Sequence, residues 1–298
     1  MSRLFAAAAA ALACLFASAS ADAQYVMMPD STNNRMVLFN PFDGSLVNSN
    51  YFALQGGTPL HGMQVGNEIW VSEQLGDRVA RFDLFGNFIS AITGGMDNIR
   101  GMEQVGGTVY VSNGGSGNGS PGANSVVTFN TAGANTGSFL TTGLVPSPFS
   151  VLDHQGGLLV GGSSGNNDIY SFDLAGSPVG VFHNSTSLNF VEQMAHDATG
   201  NVLAAGFSSN NVVTLDASTG ALLSSFAAAG ARGVYQLGNG NIMWTSGAGA
   251  FVFDVNTGQS LQVYAGGGRY LDDLVIPTPG AASLIGLAGF SLVRRRRS

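Results

Sequence analysis

Between Gln24 and Pro279 the chain carries six arginines and no lysine, and three of those arginines open similar short segments: RGMEQV at Arg100, RGVYQL at Arg232 and RYLDDL at Arg269. Related segments begin with HGMQV at His61, FSVLDH at Phe149 and FVEQMA at Phe190. Guanidinium groups fork onto carboxylate or phosphate oxygens, while aromatic rings stack on sugar faces. Brought together, His61, Arg100, Phe149, Phe190, Arg232, Arg269 and Tyr270 would form a site for an anionic or carbohydrate ligand. An alternative stays open: the arginines only tie neighbouring segments together, pairing with acids such as Asp97, Glu103, Asp272 and Asp273.

The same segments carry carboxylates. Glu103, Asp153, Glu192 and Asp273 are hard oxygen ligands of the kind that hold Ca2+ or Mg2+, and His154 or His196 could serve such a centre as a base. That chemistry is metal-dependent hydrolysis or elimination, although the four acids do not occupy equivalent registers. The AHDATGN stretch from Ala195 also reads as a strand entering an Asx-Gly turn. Other chemistry finds no motif: no G-x-S-x-G elbow, no ordered calcium-loop spacing, and no lysine to complete a phosphate-binding loop. NGGSGNGSPGANS, from Asn113 to Ser125, reads as a flexible surface insertion between two strands.

The elements that must position these residues are set by a repeat. A large apolar residue followed by Asn or Asp and then a glycine turn recurs at Phe39, Phe82, Phe129, Phe172, Leu215 and Phe253, at spacings of 43, 47, 43, 43 and 38 residues. Asn and Asp bond their own nearby backbone, and glycine accepts the positive φ of a tight turn, so each copy is a strand running into a hairpin. Val37, Ala80, Val127, Tyr170, Val213 and Phe251 lie two residues earlier and share the anchor's face. The residues between them, Leu38 to Val252, form a less buried face. Ile92, Phe139, Phe182, Phe226 and Tyr264 mark the next strand. Two further strands precede each anchor, giving four per unit. The first unit lacks its leading strand, and a spare copy, RYLDDLVI, follows the last unit. Trp70 and Trp244 alternate with apolar neighbours and read as core.

This pattern predicts an all-β chain: a six-bladed β-propeller over residues 24–276 with four-stranded blades, the first blade closed by the C-terminal strand. DSTNNRMVLFN, SGNNDIYSFD and SSNNVVTLD resemble blades of the NHL and YVTN propellers. The resemblance implies the fold and carries no catalytic motif, so a binding or structural module is the expectation. The metal-dependent alternative resembles lactonase-type propellers, which hold a divalent cation on the axis; otherwise no cofactor is expected.

The two ends differ from this body. MSRLFAAAAAALACLFASASADAQ has one arginine, an apolar run and A-x-A sites, which marks residues 1–23 as a secretory signal peptide. It contains Cys14, the only cysteine, so the exported chain would have no thiol chemistry. Seventeen acidic residues face six arginines between Gln24 and Pro279, and that acidity argues against a nucleic-acid partner. Residues 277–298 combine Pro277-Thr278-Pro279-Gly280, a short apolar run and Arg294, Arg295, Arg296 and Arg297. The run is shorter than a helix needs to span a bilayer. This segment resembles the PEP-CTERM sorting signal, with Pro-Thr-Pro where Pro-Glu-Pro is usual. The resemblance implies export in a Gram-negative bacterium, membrane contact only through this segment before processing, and an exosortase as partner beside the secretion machinery. The expected destination is the envelope, cell surface or extracellular matrix, with polysaccharide or protein as ligand.

Overall fold

The computed structural model describes residues 22–163 and 168–277. Of the segment read as a signal peptide only Asp22 and Ala23 are described, and of the segment read as a sorting signal only Pro277; the rest of both lies outside the described residues. Twenty-four strands form six four-stranded antiparallel sheets arranged as the blades of a propeller. In blade 2 the order from inner to outer strand is Pro59–Val65, Glu68–Glu73, Arg78–Asp83 and Phe88–Thr93. Blades 3 to 6 repeat this meander, with inner strands Ile99–Val105, Pro148–His154, Val191–His196 and Val234–Gln236. Blade 1 takes its inner strand, Asp272–Ile276, from after blade 6 and pairs it with Ala23–Asp30. The spare copy in the sequence is thus the strand that closes the ring.

The repeat anchors work as their residue types require. Phe39, Phe82, Phe129, Phe172 and Leu215 are buried, each contributing about 1.5–3 kcal/mol by removing apolar surface from water, whereas the sixth anchor, Phe253, is only half-buried. The Asx side chain after each anchor accepts the N–H two residues on, as Asn40 does from Phe42, Asp83 from Phe85 and Asp173 from Ala175. Gly44, Gly86 and Gly176 complete three of these turns at φ of 75°, 84° and 85°. Leu38 departs from the two-face expectation, being as buried as Val37, because a propeller blade is covered on both faces by its neighbours. Trp70 and Trp244 are core residues.

The glycine-rich insertion joins the second and third strands of blade 3 and is tied down rather than free. The Asp97 carboxylate accepts from Gly117 N, Asn118 donates to Asp77, and Asn113 donates to the carbonyls of Gly115 and Gly122. Its polar residues find partners in blade 3 and in the neighbouring blade 2, and its glycines allow close approach, so the composition that suggested flexibility supports a packed loop.

Candidate functional site

A repeated backbone device sets the channel. Thr58, Asn98, Ser147 and Phe190 each precede an inner strand at positive φ, 58°, 53°, 50° and 58°. Their carbonyls accept the N–H of Gln74, Gly114, Ser163 and Phe207, the residues that follow the second strand of the same blade. Immediately afterwards the pairing slips, so that Leu60, Arg100, Phe149 and Glu192 have no partner in the register. Bulges of this kind re-aim a side chain. Here they gather Arg100, Phe149 and Glu192 at the end of the channel where the inner strands begin.

Arg232 and Arg269 reach the same end from the segments ahead of the inner strands of blades 6 and 1. Arg232, Arg269 and Arg100 all act on the Glu192 carboxyl. The other three arginines of the ring are consumed locally, in pairs with Asp30, Glu73 and Glu68. Among the described residues, Arg100, Arg232 and Arg269 make no ion pair within 4.0 Å. The acids the sequence offered them are engaged elsewhere: Asp97 with the insertion, Asp272 with His61 and Asp273 with Tyr235.

Three buried polar atoms in this cluster have no hydrogen-bond partner among the described residues: Glu192 Oε2, Arg100 Nε and Arg232 Nε. Burial raises the Glu192 carboxyl to about 7 against the pull of the arginines. Burial also lowers the Arg100 and Arg269 guanidiniums to about 10, so both remain charged at neutral pH. Arg100 is held by Ser147 Oγ at 2.8 Å and Pro148 O at 2.9 Å, and lies 3.9 Å from the centroid of Phe149. Phe190 meets Phe149 edge-on at 4.7 Å and Phe207 at 5.1 Å, and Arg232 lies 5.5 Å from the Phe207 ring. The aromatic residues thus pack around the guanidiniums. Phe207 was not singled out in the sequence, where nothing distinguishes it from a core phenylalanine.

Tyr270 divides the channel. Fully buried, it comes from blade 1, and its hydroxyl reaches the Phe149 carbonyl of blade 4. Around it, Gln193 accepts from Val234 N and Leu271 N and donates to Leu271 O, tying blades 5, 6 and 1. Ser150 accepts from Met194 N, and Ser112 donates to Gly101 O and Phe149 O.

On the far side of Tyr270 is a cavity of about 270 Å³ lined by His61, Glu103, Gln193, Tyr235, Asp272 and Asp273, among others. His61 lies here, away from the arginine end. Its Nδ1 accepts from Met102 N at 3.0 Å, which leaves Nε2 to donate to Asp272 at 3.2 Å. Burial, with Asp272 and Asp153 nearby, raises Glu103 to about 8. Burial likewise raises Asp273, despite the hydroxyl that Tyr235 donates to it.

The four carboxylates proposed for a metal therefore split: Glu192 belongs with the arginines, and Glu103, Asp153 and Asp273 with the acidic end. Among the described residues, no three His, Asp or Glu side chains stand close enough to share an ion. His154 and His196 stack at 5.2 Å, with His154 Nε2 on Ala217 O and His196 Nε2 on Asp153 O.

No protein-family model and no curated protein sequence matches the chain. Solved structures do. A chain of a nidogen/laminin complex superposes with a TM-score of 0.70 at 10% identity, over 84% of this chain and 98% of that one. A protein of unknown function from Bacteroides caccae gives 0.61 at 14%, over 84% and 98%. A streptogramin B lyase gives 0.53 at 13%, over 89% and 77%. At these identities the likeness establishes the propeller fold alone.

Proposed function

We propose that the chain is an exported propeller that binds an anionic ligand, such as an acidic polysaccharide, at the arginine end of its channel, and works as a binding module of the cell envelope. The observation that carries this reading is the convergence of Arg100, Arg232 and Arg269 on a single buried carboxylate, with no ion pair for any of them among the described residues. Three guanidiniums against one carboxylate leave excess positive charge partly withdrawn from water, and an anion offsets it. The aromatic rings favour the charged part of a ligand over sugar stacking, since the guanidinium of Arg100 lies over Phe149.

Export rests on the N-terminal segment and on the likeness of residues 277–298 to a PEP-CTERM signal. A removable signal leaves the propeller alone to meet the ligand. Intact mass of the exported protein tests this part: loss of both terminal segments is expected, and a retained tail makes it an anchor. Binding of alginate to wild type and to Arg100→Ala and Arg232→Ala tests the site, with unchanged binding in both variants against it. A hydrolase or lyase using a divalent cation finds less support, because the candidate ligands do not fit around one ion. Unchanged melting temperature and metal content after EDTA would remove it.

A further inference from the structure

We infer that the arginine end takes up its anion together with one proton, carried by Glu192. The inference rests on the reading of that end as the ligand site and adds the condition under which it fills.

Glu192 is 3% exposed and its Oε2 has no hydrogen-bond partner among the described residues. It holds the position an incoming anion would compete for, within electrostatic reach of all three arginines. Two anions sharing that partly buried space would repel each other strongly, so only one is charged at a time. Protonation by solvent removes the carboxylate charge and supplies an O–H donor. The anion then meets three guanidiniums, including the unpartnered Nε–H groups of Arg100 and Arg232. Arg232 and Arg269 are partly exposed, which keeps the end open to solvent.

The groups facing Glu192 are Arg100 on the blade 3 inner strand, Arg232 ahead of blade 6, and Arg269 and Tyr270 ahead of blade 1. Arg100 and Arg269 sit near 10 and stay charged through pH 8.5, while burial holds the Tyr270 phenol well above its ordinary range. Glu192, near 7, is the group in this cluster whose own range lies between pH 5.5 and 8.5.

The experiment is titration calorimetry with sodium sulfate and, separately, galacturonate. Both probes are fully ionised from pH 5.5 to 8.5, so any proton taken up goes to the protein. Each titration is run in two buffers of different ionisation enthalpy. Uptake of close to one proton per anion at pH 8.5 is expected, falling toward none at pH 5.5. Affinity should weaken about tenfold per pH unit above neutrality, as linkage to one proton requires. Glu192→Gln, neutral at every pH, should bind with little pH dependence and no uptake. Binding that is independent of pH and releases no buffer heat overturns the proposal and leaves the ligand site standing. Failure of both anions to bind at either pH overturns the site and the inference together. Wild-type uptake persisting in Glu192→Gln also overturns the assignment; if that variant does not fold, the wild-type buffer series decides alone.

Discussion

The hydroxyl of Tyr270, carried by blade 1, donates to the backbone carbonyl of Phe149 in blade 4, 3.3 Å away across the channel. One side chain thus joins opposite blades and borders both the arginine cluster and the acidic cavity. The same carbonyl lies 3.0 Å from Ser112 Oγ, whose single O–H it shares with Gly101 O, so loss of the tyrosine hydroxyl leaves it one shared donor. Tyr270→Phe should cost about 0.5–1.5 kcal/mol, the worth of one ordinary hydrogen bond. Tyr270→Ala should cost about 3–5 kcal/mol by opening a cavity. Urea unfolding of the two variants checks the ratio; equal costs would mean that the ring does not fill the channel.

Phe190 holds the left-handed backbone position that Thr58, Asn98 and Ser147 hold in other blades. For an L-residue this conformation costs about 1–2 kcal/mol, and asparagine tolerates it better. Phe190 offsets the strain with its contacts to Phe149 and Phe207. Phe190 is only half-buried, so less packing is lost than the about 3–5 kcal/mol of a core phenylalanine, and with the strain relieved Phe190→Asn should cost no more than about 1–2 kcal/mol. Sulfate affinity should still fall, because the packing behind the arginines loosens. A destabilisation of about 3 kcal/mol or more in chemical unfolding would show that the strain is not being relieved.

Ring closure should depend on pH through Asp30. Burial by itself raises this carboxyl, but bonds from Asn33, the Tyr264 hydroxyl and Gly267 N together hold it at about 2. A folded value below the unfolded one means that the stabilisation is complete above the ordinary aspartate range and disappears as pH falls toward 2. The shift corresponds to about 2 kcal/mol at neutral pH. Asp30→Asn should lower stability by about that amount at pH 7, and the gap to wild type should narrow between about pH 5 and pH 2. Thermal unfolding over that range measures it, and a constant gap would place the effect outside the carboxylate.

The fold was legible because its signals are local. Anchor, Asx side chain and turn glycine lie within a few residues of one another, and the displaced segment opens with arginine at Arg269 as the segments at Arg100 and Arg232 do. The ends of the channel were legible only in part. Arg100 and Glu103 are three residues apart, yet the inner strand carries them to opposite sides of Tyr270. Glu192 was grouped with Glu103 as a carboxylate, although it is the second residue of Val191–His196 and Glu103 the fifth of Ile99–Val105. Counting from each strand's start would have placed Glu192 beside Arg100 and Phe149. The bulge that turns these second residues toward the axis depends on the partner strand's register, which no single segment encodes.

Gly114 connects the packed insertion to the ligand site. It follows the second strand of blade 3, bonds to the left-handed Asn98, and has the Arg100 guanidinium where a side chain would begin: a Cβ would meet Arg100 Cζ at 2.3 Å. Its φ lies outside the left-handed range, so alanine suits the backbone and the effect of substitution is steric. Arg100 has little room to yield, since Ser147, Pro148 O and the Phe149 ring all hold it. Gly114→Ala should therefore cost about 1–3 kcal/mol through overpacking. It should also weaken sulfate binding about tenfold, the loss expected when one charge-assisted bond of ~1.5 kcal/mol is misplaced. Gly107→Ala, where a Cβ meets nothing within 4 Å, is the matched control and should leave both quantities unchanged. Sulfate affinity that survives Gly114→Ala in a folded protein would mean that Arg100 does not reach the anion.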